Sequence, residues 1–305
     1  MQDLAVFAEE SSLFASPFLA EALDVPLYTI LPQYNDFFQA GKRGVNWKNG
    51  STIKERNLII VGYNALQAIS MQIKRFNRVA YVACDSWSCK YYKWINEFIS
   101  QNNITLYVMP DLGDYYKNFI PAYQRIRIKN VNETKYSITT IAHSPNNHIK
   151  AHYKGTNYIV QTIEKLKRNL DIYFVLIQGL PMTECLLMKA RSHIFVDQLI
   201  YGNPEIPQDR FGGEIRYNGG LGKSGIEAMM LDCCVITGGR QPDTEKYFPP
   251  PPVVWSHYDT LYDDLEELIN YSVLRNNKAR KQRRWVDEYL TPEFVRNHFT
   301  RFLNE

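Results

Sequence analysis

The chain has 305 residues, 45% of them hydrophobic and 22% charged, a composition that excludes a disordered or fibrous protein and leaves room for two globular domains. A formal net charge of +3, spread along the chain, is too small to mark a nucleic-acid binder by itself. No apolar run approaches the ~18 residues that span a bilayer, and the start, MQDLAVFAEESS, is acidic where a secretion signal is basic, so a soluble cytoplasmic protein is expected. The five cysteines, Cys84, Cys89, Cys185, Cys233 and Cys234, are odd in number and form no CxxC pair, which reads as reduced structural thiols.

In chain order, Leu4 to Ala8 is a short apolar strand, a helix runs through about Leu23 with Ser11 and Ser12 as candidate caps, and Pro26 to Leu31 is a second strand. Pro32 to Arg56 is polar, aromatic and aperiodic and reads as a long loop. Regularity returns with strands at Leu58 to Gly62, Val79 to Cys84 and Ile104 to Met109, alternating with helices at Ala65 to Phe76 and Lys90 to Ser100. Such alternation predicts a parallel sheet covered on both faces, with ligands beyond the carboxyl ends of the strands. Asp85 lies just after one of those ends and is the candidate for an acceptor-side base.

A domain boundary falls within Arg125 to Ile141, and a second α/β series follows. Its predicted strands are Ser137 to Ala142, Asp171 to Ile177 and Ile194 to Val196, and its helices Thr156 to Asn169 and Thr183 to Ala190. Leu199 to Asn218 reads as an insertion, and Gly219 to Gly239, GGLGKSGIEAMMLDCCVITGG, as loop, helix, strand and loop. Beyond it come four prolines (Pro249 to Pro252), a strand at Val253 to Trp255, an acidic helix at Thr260 to Leu274 and a helical region at Lys278 to Phe302 broken near Pro292.

Two loops of this second series have the make-up of anion sites. Gly219, Gly220, Gly222 and Gly225 let the backbone approach a ligand at a helix N-terminus, Lys223 supplies a cation, Ser224 is placed to cap, and Glu227, one turn in, is an acceptor for a pair of hydroxyls. The other loop, His143 to Thr156, follows a strand and opens a helix with Lys154, Gly155 and Thr156. A phosphate cradle beside a hydroxyl acceptor fits a nucleotide or nucleotide sugar. His143 and His148 flank this loop, His143 as a candidate catalytic or phosphate-binding group. No metal-ligand spacing is present among the histidines and carboxylates, so no metal is expected. The basic cluster Arg275, Lys278, Arg280, Lys281, Arg283 and Arg284 reads as a solvated helix face, with peripheral membrane or nucleic-acid contact as the alternative.

The order AHSP, KGT, a helix, FVDQL, then GLGKSGIEAM and an apolar strand resembles the C-terminal half of bacterial group 1 (family 4-like) glycosyltransferases of the GT-B fold. The resemblance covers about Ile138 to Glu305, including a closing segment, RRWVDEYLTPEFVRNHFTRFL, similar to the helix that in that family crosses back to the first domain. It implies an α/β protein of two Rossmann-like domains facing a cleft: 1–136 for the acceptor, 137–283 for the nucleotide sugar, and 284–305 returning to the first. Carried over, Lys154, Gly155 and Thr156 contact the donor diphosphate, Gly222, Lys223, Ser224 and Gly225 supply further donors, Glu227 accepts the ribose hydroxyls, and the loop from Gln178 and Gly179 to Pro181 flanks the nucleobase. Many relatives carry a glutamate eight positions before the one matching Glu227; here that position is Gly219.

The resemblance implies a metal-independent, retaining hexosyl or pentosyl transfer with no cofactor beyond the nucleoside diphosphate sugar. The acceptor is open between a cell-surface glycan or lipid-linked saccharide and a hydroxymethylated base of DNA, the latter permitted by the basic and aromatic stretches Lys42 to Lys48 and Lys74 to Arg78. An inactive sugar-nucleotide-binding module is the third reading, raised by Gly219 alone.

Overall fold

The computed structural model describes residues 3–8, 16–29, 48–49, 53–84, 86–116, 118–123, 128, 131, 133–145, 154–199, 220–239 and 243–304. The chain forms two compact units, one built from Met1–Arg127 together with Tyr289–Glu305, the other from Ile128–Arg210 and Glu214–Glu288.

The first unit is a parallel sheet of β1 (Leu4–Ala8), β2 (Leu27–Thr29), β3 (Lys48–Asn49), β4 (Asn57–Val61), β5 (Arg78–Ala83), β6 (Thr105–Val108) and β7 (Ile120–Pro121). The strands lie in the order β3-β2-β1-β4-β5-β6-β7, the Rossmann-like winding. β1, β4 and β5 are apolar almost throughout because both faces are covered, and their side chains are buried. The edge strands β3 and β7 are two residues long, too short to carry a periodic signal, and β3 falls inside the stretch expected to be loop. After α1 (Ser16–Leu23), the helix expected over Ala65 to Phe76 is α-helical only in its first half: α2 (Tyr63–Ile69) tightens into a 3₁₀ segment, Ser70–Arg75, where the Ser70 hydroxyl donates back to the Gln67 carbonyl at 2.8 Å. A pair, α3 (Ser86–Lys90) and α4 (Tyr92–Asn102), replaces the single helix expected from Lys90.

The second unit holds β8 (Thr139–His143), β9 (Ile172–Leu176), β10 (Ile194–Val196), β11 (Cys234–Gly238) and β12 (Val254–Ser256), all parallel, in the order β12-β11-β10-β8-β9. Its helices are α5 (Thr156–Leu166), α6 (Met182–Arg191), α7 (Lys223–Met230), α8 (Leu261–Asn270) and α9 (Ser272–Tyr289). A core of Ile141, Ile159, Ile163, Ile194, Val196, Ile236, Leu261 and Leu265 fills the space between sheet and helices. Strand order reverses between β8 and β10, and in open parallel sheets the crevice at that reversal, beyond the carboxyl ends, is where ligands bind.

One arginine of the basic cluster, Arg275, is not on a solvated face, and a second, Arg283, is only partly exposed. The acidic helix ends at Asn270, earlier than expected, because Arg275 is buried and its Nη1 donates to the carbonyls of Leu268 at 2.8 Å and Ile269 at 3.3 Å, closing α8. Arg283 donates to the Met230 carbonyl at 2.7 Å and so closes α7. Arg280, Lys281 and Arg284 are exposed.

The proline run also has a structural partner. Pairing of β11 with β12 begins at Ile236 and Val254, and the prolines before that point have no N–H to offer. Gln282, fully buried on α9, takes their place: its Oε1 accepts from Val235 N at 2.7 Å and its Nε2 donates to Val235 O at 3.1 Å.

The returning segment belongs to the first unit. Thr291 caps α10 (Pro292–Phe299) by accepting from Phe294 N at 3.0 Å, with proline in the first turn. Arg296 Nε donates to the Ala22 carbonyl at 2.7 Å, Tyr107 OH donates to His298 O at 3.0 Å, and His298 Nε2 donates to Pro121 O at 2.8 Å. Phe299 stacks on Tyr107 with centroids 4.8 Å apart.

Replacing Gln282 by Leu strands the Val235 N–H and C=O in the interior; at about 1–3 kcal/mol for each orphaned group, the midpoint of urea unfolding monitored on the second unit is expected to fall clearly.

Candidate functional site

At the reversal of strand order, β8 ends in His143 and β10 ends one residue before Asp197. Their registers align, Val196 opposite His143 and Ile236 opposite Val196, so the loops that leave these strands open on one edge. Lys154, Gly155 and Thr156 come from the loop after β8, Gln178 and Gly179 from the turn after β9, and Gly222 to Glu227 from the start of α7. The elements that carry these residues all leave the carboxyl edge of the second sheet, and direct contacts join Lys154 to Gly222 through Asp197, while none joins Gln178 or Gly179 to them among the described residues. Asp85 lies outside the described residues, as do His148 and Gly219.

Asp197 is the centre of this edge. It has no exposed surface, and a buried carboxylate needs compensating partners. Oδ1 receives the Lys154 ammonium at 3.2 Å and Oδ2 receives the Gly222 backbone N–H at 2.6 Å, at the positive end of α7. Leu199 N donates to the Lys154 carbonyl at 2.9 Å, which ties the same two loops by their backbones. Gly222 is the N-cap of α7, and Gly225 faces the carboxylate: a Cβ there would lie 3.0 Å from Asp197 Oδ2 and collide with Leu221 Cδ1. A side chain at that position would have to displace the ends of two buried side chains.

Ser224 does not cap α7, since Gly222 holds that position. Its hydroxyl instead accepts from Lys189 Nζ at 2.7 Å, and the same ammonium donates to Glu227 Oε2 at 2.5 Å. Lys189 was not singled out in the sequence, because one lysine on an amphipathic helix looks like any solvated one; the only cue is a position on α6 that helical spacing turns inward. Gln198, also buried, donates through Nε2 to the Gly220 carbonyl, which Thr237 Oγ1 meets from the other side at 2.8 Å. Gly220 has φ 140° and Gly155, the N-cap of α5, φ 72°, conformations that favour glycine in both loops.

His143 is fully buried. Its Nδ1 donates to the Val196 carbonyl at 2.7 Å and its Nε2 accepts the Thr156 hydroxyl at 2.8 Å, so neither nitrogen is open to a reactant in this structure. Burial, with the Lys154 and Lys189 charges acting the same way, holds its pKa down to about 4. The ring joins the end of β8 to the start of α5, and the Thr156 side chain is turned toward it. Among the described residues no group of three or more His, Cys, Asp or Glu is placed to hold a metal ion, and no helix is long and apolar enough to cross a membrane.

The edge thus offers an anion the N–H groups of the first turn of α7, the Lys154 and Lys223 cations and the Ser224 hydroxyl, with a carboxylate one turn further in. No protein-family model matches the sequence, and no curated protein does. Solved structures share the fold at low identity. An Anabaena protein, HepE, in complex with UDP and glucose has a TM-score of 0.65 at 7% identity, the match covering 99% of this chain and 100% of that one. A Listeria monocytogenes protein provisionally assigned as a UDP-N-acetylglucosamine 2-epimerase gives 0.54 at 8% identity, covering 97% and 94%. A DNA-modifying β-glucosyltransferase gives 0.53 at 11% identity, covering 99% and 100%. The chain has the GT-B fold, two parallel α/β sheets with the final helix returned to the first unit.

Gly225→Ala is expected to cost about 1–3 kcal/mol in a thermal melt, since the added methyl crowds the Leu221 side chain and Asp197 cannot withdraw without lengthening its bonds to Lys154 and Gly222. The neutral state of His143 sets a second expectation. Its folded pKa lies below the unfolded 6.5, so its share of stability is complete above pH 6.5 and is lost as pH falls toward 4. In that window unfolding takes up close to one proton at this ring, a slope of about 1.4 kcal/mol per pH unit, and His143→Gln should show a correspondingly flatter pH dependence of melting.

Proposed function

We propose that the chain is a metal-independent glycosyltransferase of the group 1 (family 4-like) kind, which transfers a hexosyl or pentosyl group from a nucleoside diphosphate sugar with retention of configuration. The observation that carries this reading is the joining, through Asp197, of two anion-receiving loops on one sheet edge, with Glu227 one helical turn behind the second. Lys154, Lys223, the Ser224 hydroxyl and the first N–H groups of α7 stabilise the negative charge that develops on the departing diphosphate. Glu227 accepts the ribose hydroxyls, and Gln178 and Gly179 border the base. The transferred sugar passes through an oxocarbenium-like state, which asks more for charge stabilisation at the leaving group than for covalent help. The UDP and glucose held by HepE support the donor class.

The acceptor in this reading is a cell-surface glycan or lipid-linked saccharide, met on the cytoplasmic side. The DNA-modifying β-glucosyltransferase, alike over 99% of the chain, favours a hydroxymethylated base as the second reading. A gel-shift titration separates the two: a DNA enzyme loses duplex affinity steeply with salt, and a glycan enzyme shows no such binding. Release of free nucleoside diphosphate that depends on an acceptor distinguishes transfer from epimerisation, in which the sugar stays on the nucleotide and changes configuration.

Glu227→Ala should weaken binding of the donor nucleotide, measured by calorimetry, by about 1.5–3 kcal/mol for each charge-assisted hydrogen bond lost; unchanged affinity would sink the assignment of this residue.

A further inference from the structure

Lys189 sits on α6 with 1% of its surface exposed, one of the largest fully buried side chains among the described residues. An ammonium has three protons to place and no acceptor, so its partners are informative. They are Ser224 Oγ at 2.7 Å, Glu227 Oε2 at 2.5 Å and, more distantly, Ser224 O at 3.4 Å, while the Phe195 ring lies 5.0 Å beneath it. Every polar partner is thus on α7, the helix whose N-terminus faces the edge described above.

We propose that Lys189 is a positioning residue of the donor site, which fixes Glu227 and Ser224 in the orientations that receive the ribose hydroxyls and the phosphate of a nucleoside diphosphate. This rests on the reading of Glu227 as the ribose acceptor. With Oε2 on the ammonium, Glu227 Oε1 accepts no hydrogen bond from any described residue, and an acceptor-only group in that state is matched to a hydroxyl-bearing ligand. Ser224 Oγ accepts a hydrogen bond from Lys189, so its own O–H is directed away from the ammonium and has no acceptor among the described residues, leaving it to donate to an anion at the head of α7. One buried cation thereby sets both polar groups, one helical turn apart, without touching the ligand. Without it, Glu227 would be a buried carboxylate with no cation and free to turn toward any other donor.

The test separates positioning from a purely structural ion pair through the ribose. Calorimetry on the full chain compares UDP with 2′,3′-dideoxy-UDP for the unaltered protein and for Glu227→Ala, Lys189→Met and Lys189→Gln. The unaltered chain should prefer UDP by about tenfold or more, the size of one charge-assisted hydrogen bond, and Glu227→Ala should abolish that preference. Both Lys189 variants should reduce it about fivefold or more although Glu227 is intact, whereas a merely structural pair would lower the melting temperature and leave the ratio alone. Lys189→Gln keeps a donor and much of the side-chain volume, so it carries the measurement if Lys189→Met does not fold. A preference lost in Glu227→Ala but kept within twofold in the Lys189 variants overturns the inference and leaves the reading of the site standing. A preference kept in Glu227→Ala, or no UDP binding by the unaltered chain, overturns the reading itself.

Discussion

A carboxylate without exposed surface stands at the end of β10, and the carboxyl edge of the second sheet is arranged around it. Burying Asp197 is unfavourable unless the charge is matched from more than one direction, and here it is matched by an ammonium from one loop and a backbone N–H at a helix terminus from the other. The requirement runs outward through the sequence. Gly222 and Gly225 leave the space in which the carboxylate lies, Leu221 closes over it, and the Leu199 N–H holds the Lys154 backbone so that the ammonium reaches inward. Asp197 is thus less a ligand-binding group than the reason that the two loops meet.

The two lysines of this edge divide the work by depth. Lys154 keeps part of its side chain exposed beside Asp197, so a ligand's negative charge can share it. Lys189 is enclosed and spends its protons on Ser224 and Glu227. Each is matched by a carboxylate, Asp197 and Glu227, so both ion pairs lie beside the first turns of α7, whose N-terminus carries the favourable end of the helix dipole. His143 completes the frame as a neutral bracket between strand and helix.

Much of this could be read in the amino-acid order. The strands of both sheets announce themselves as apolar runs because a sheet covered on two faces has no polar side, and glycines with a lysine between two such elements mark the loops that meet at Asp197. What could not be read depended on partners distant in sequence. Arg275 and Arg283 look like members of a solvated basic cluster until the carbonyls that they close, on Leu268 and Met230, are in place. Lys189 looks like a surface lysine until Glu227, 38 positions away, is packed against it. Ser224 carries the side chain of a helix cap, yet Gly222 takes that position because Asp197 claims its N–H. The two-residue strands β3 and β7 exist only by pairing with β2 and β6 and leave no pattern of their own.

The return of α10 to the first unit has a consequence for the order of events during synthesis. The second unit is assembled from one continuous stretch as far as the described residues show, whereas the first also needs Tyr289–Glu305, which leave the ribosome after the whole of the second unit. Until then the Tyr107 ring lacks the Phe299 and His298 rings packed on it, and an uncovered apolar surface on a nascent chain favours association with other chains or chaperones. The second unit can close while the first still waits, so the half built around Asp197 is complete before the half that its own downstream helix must finish.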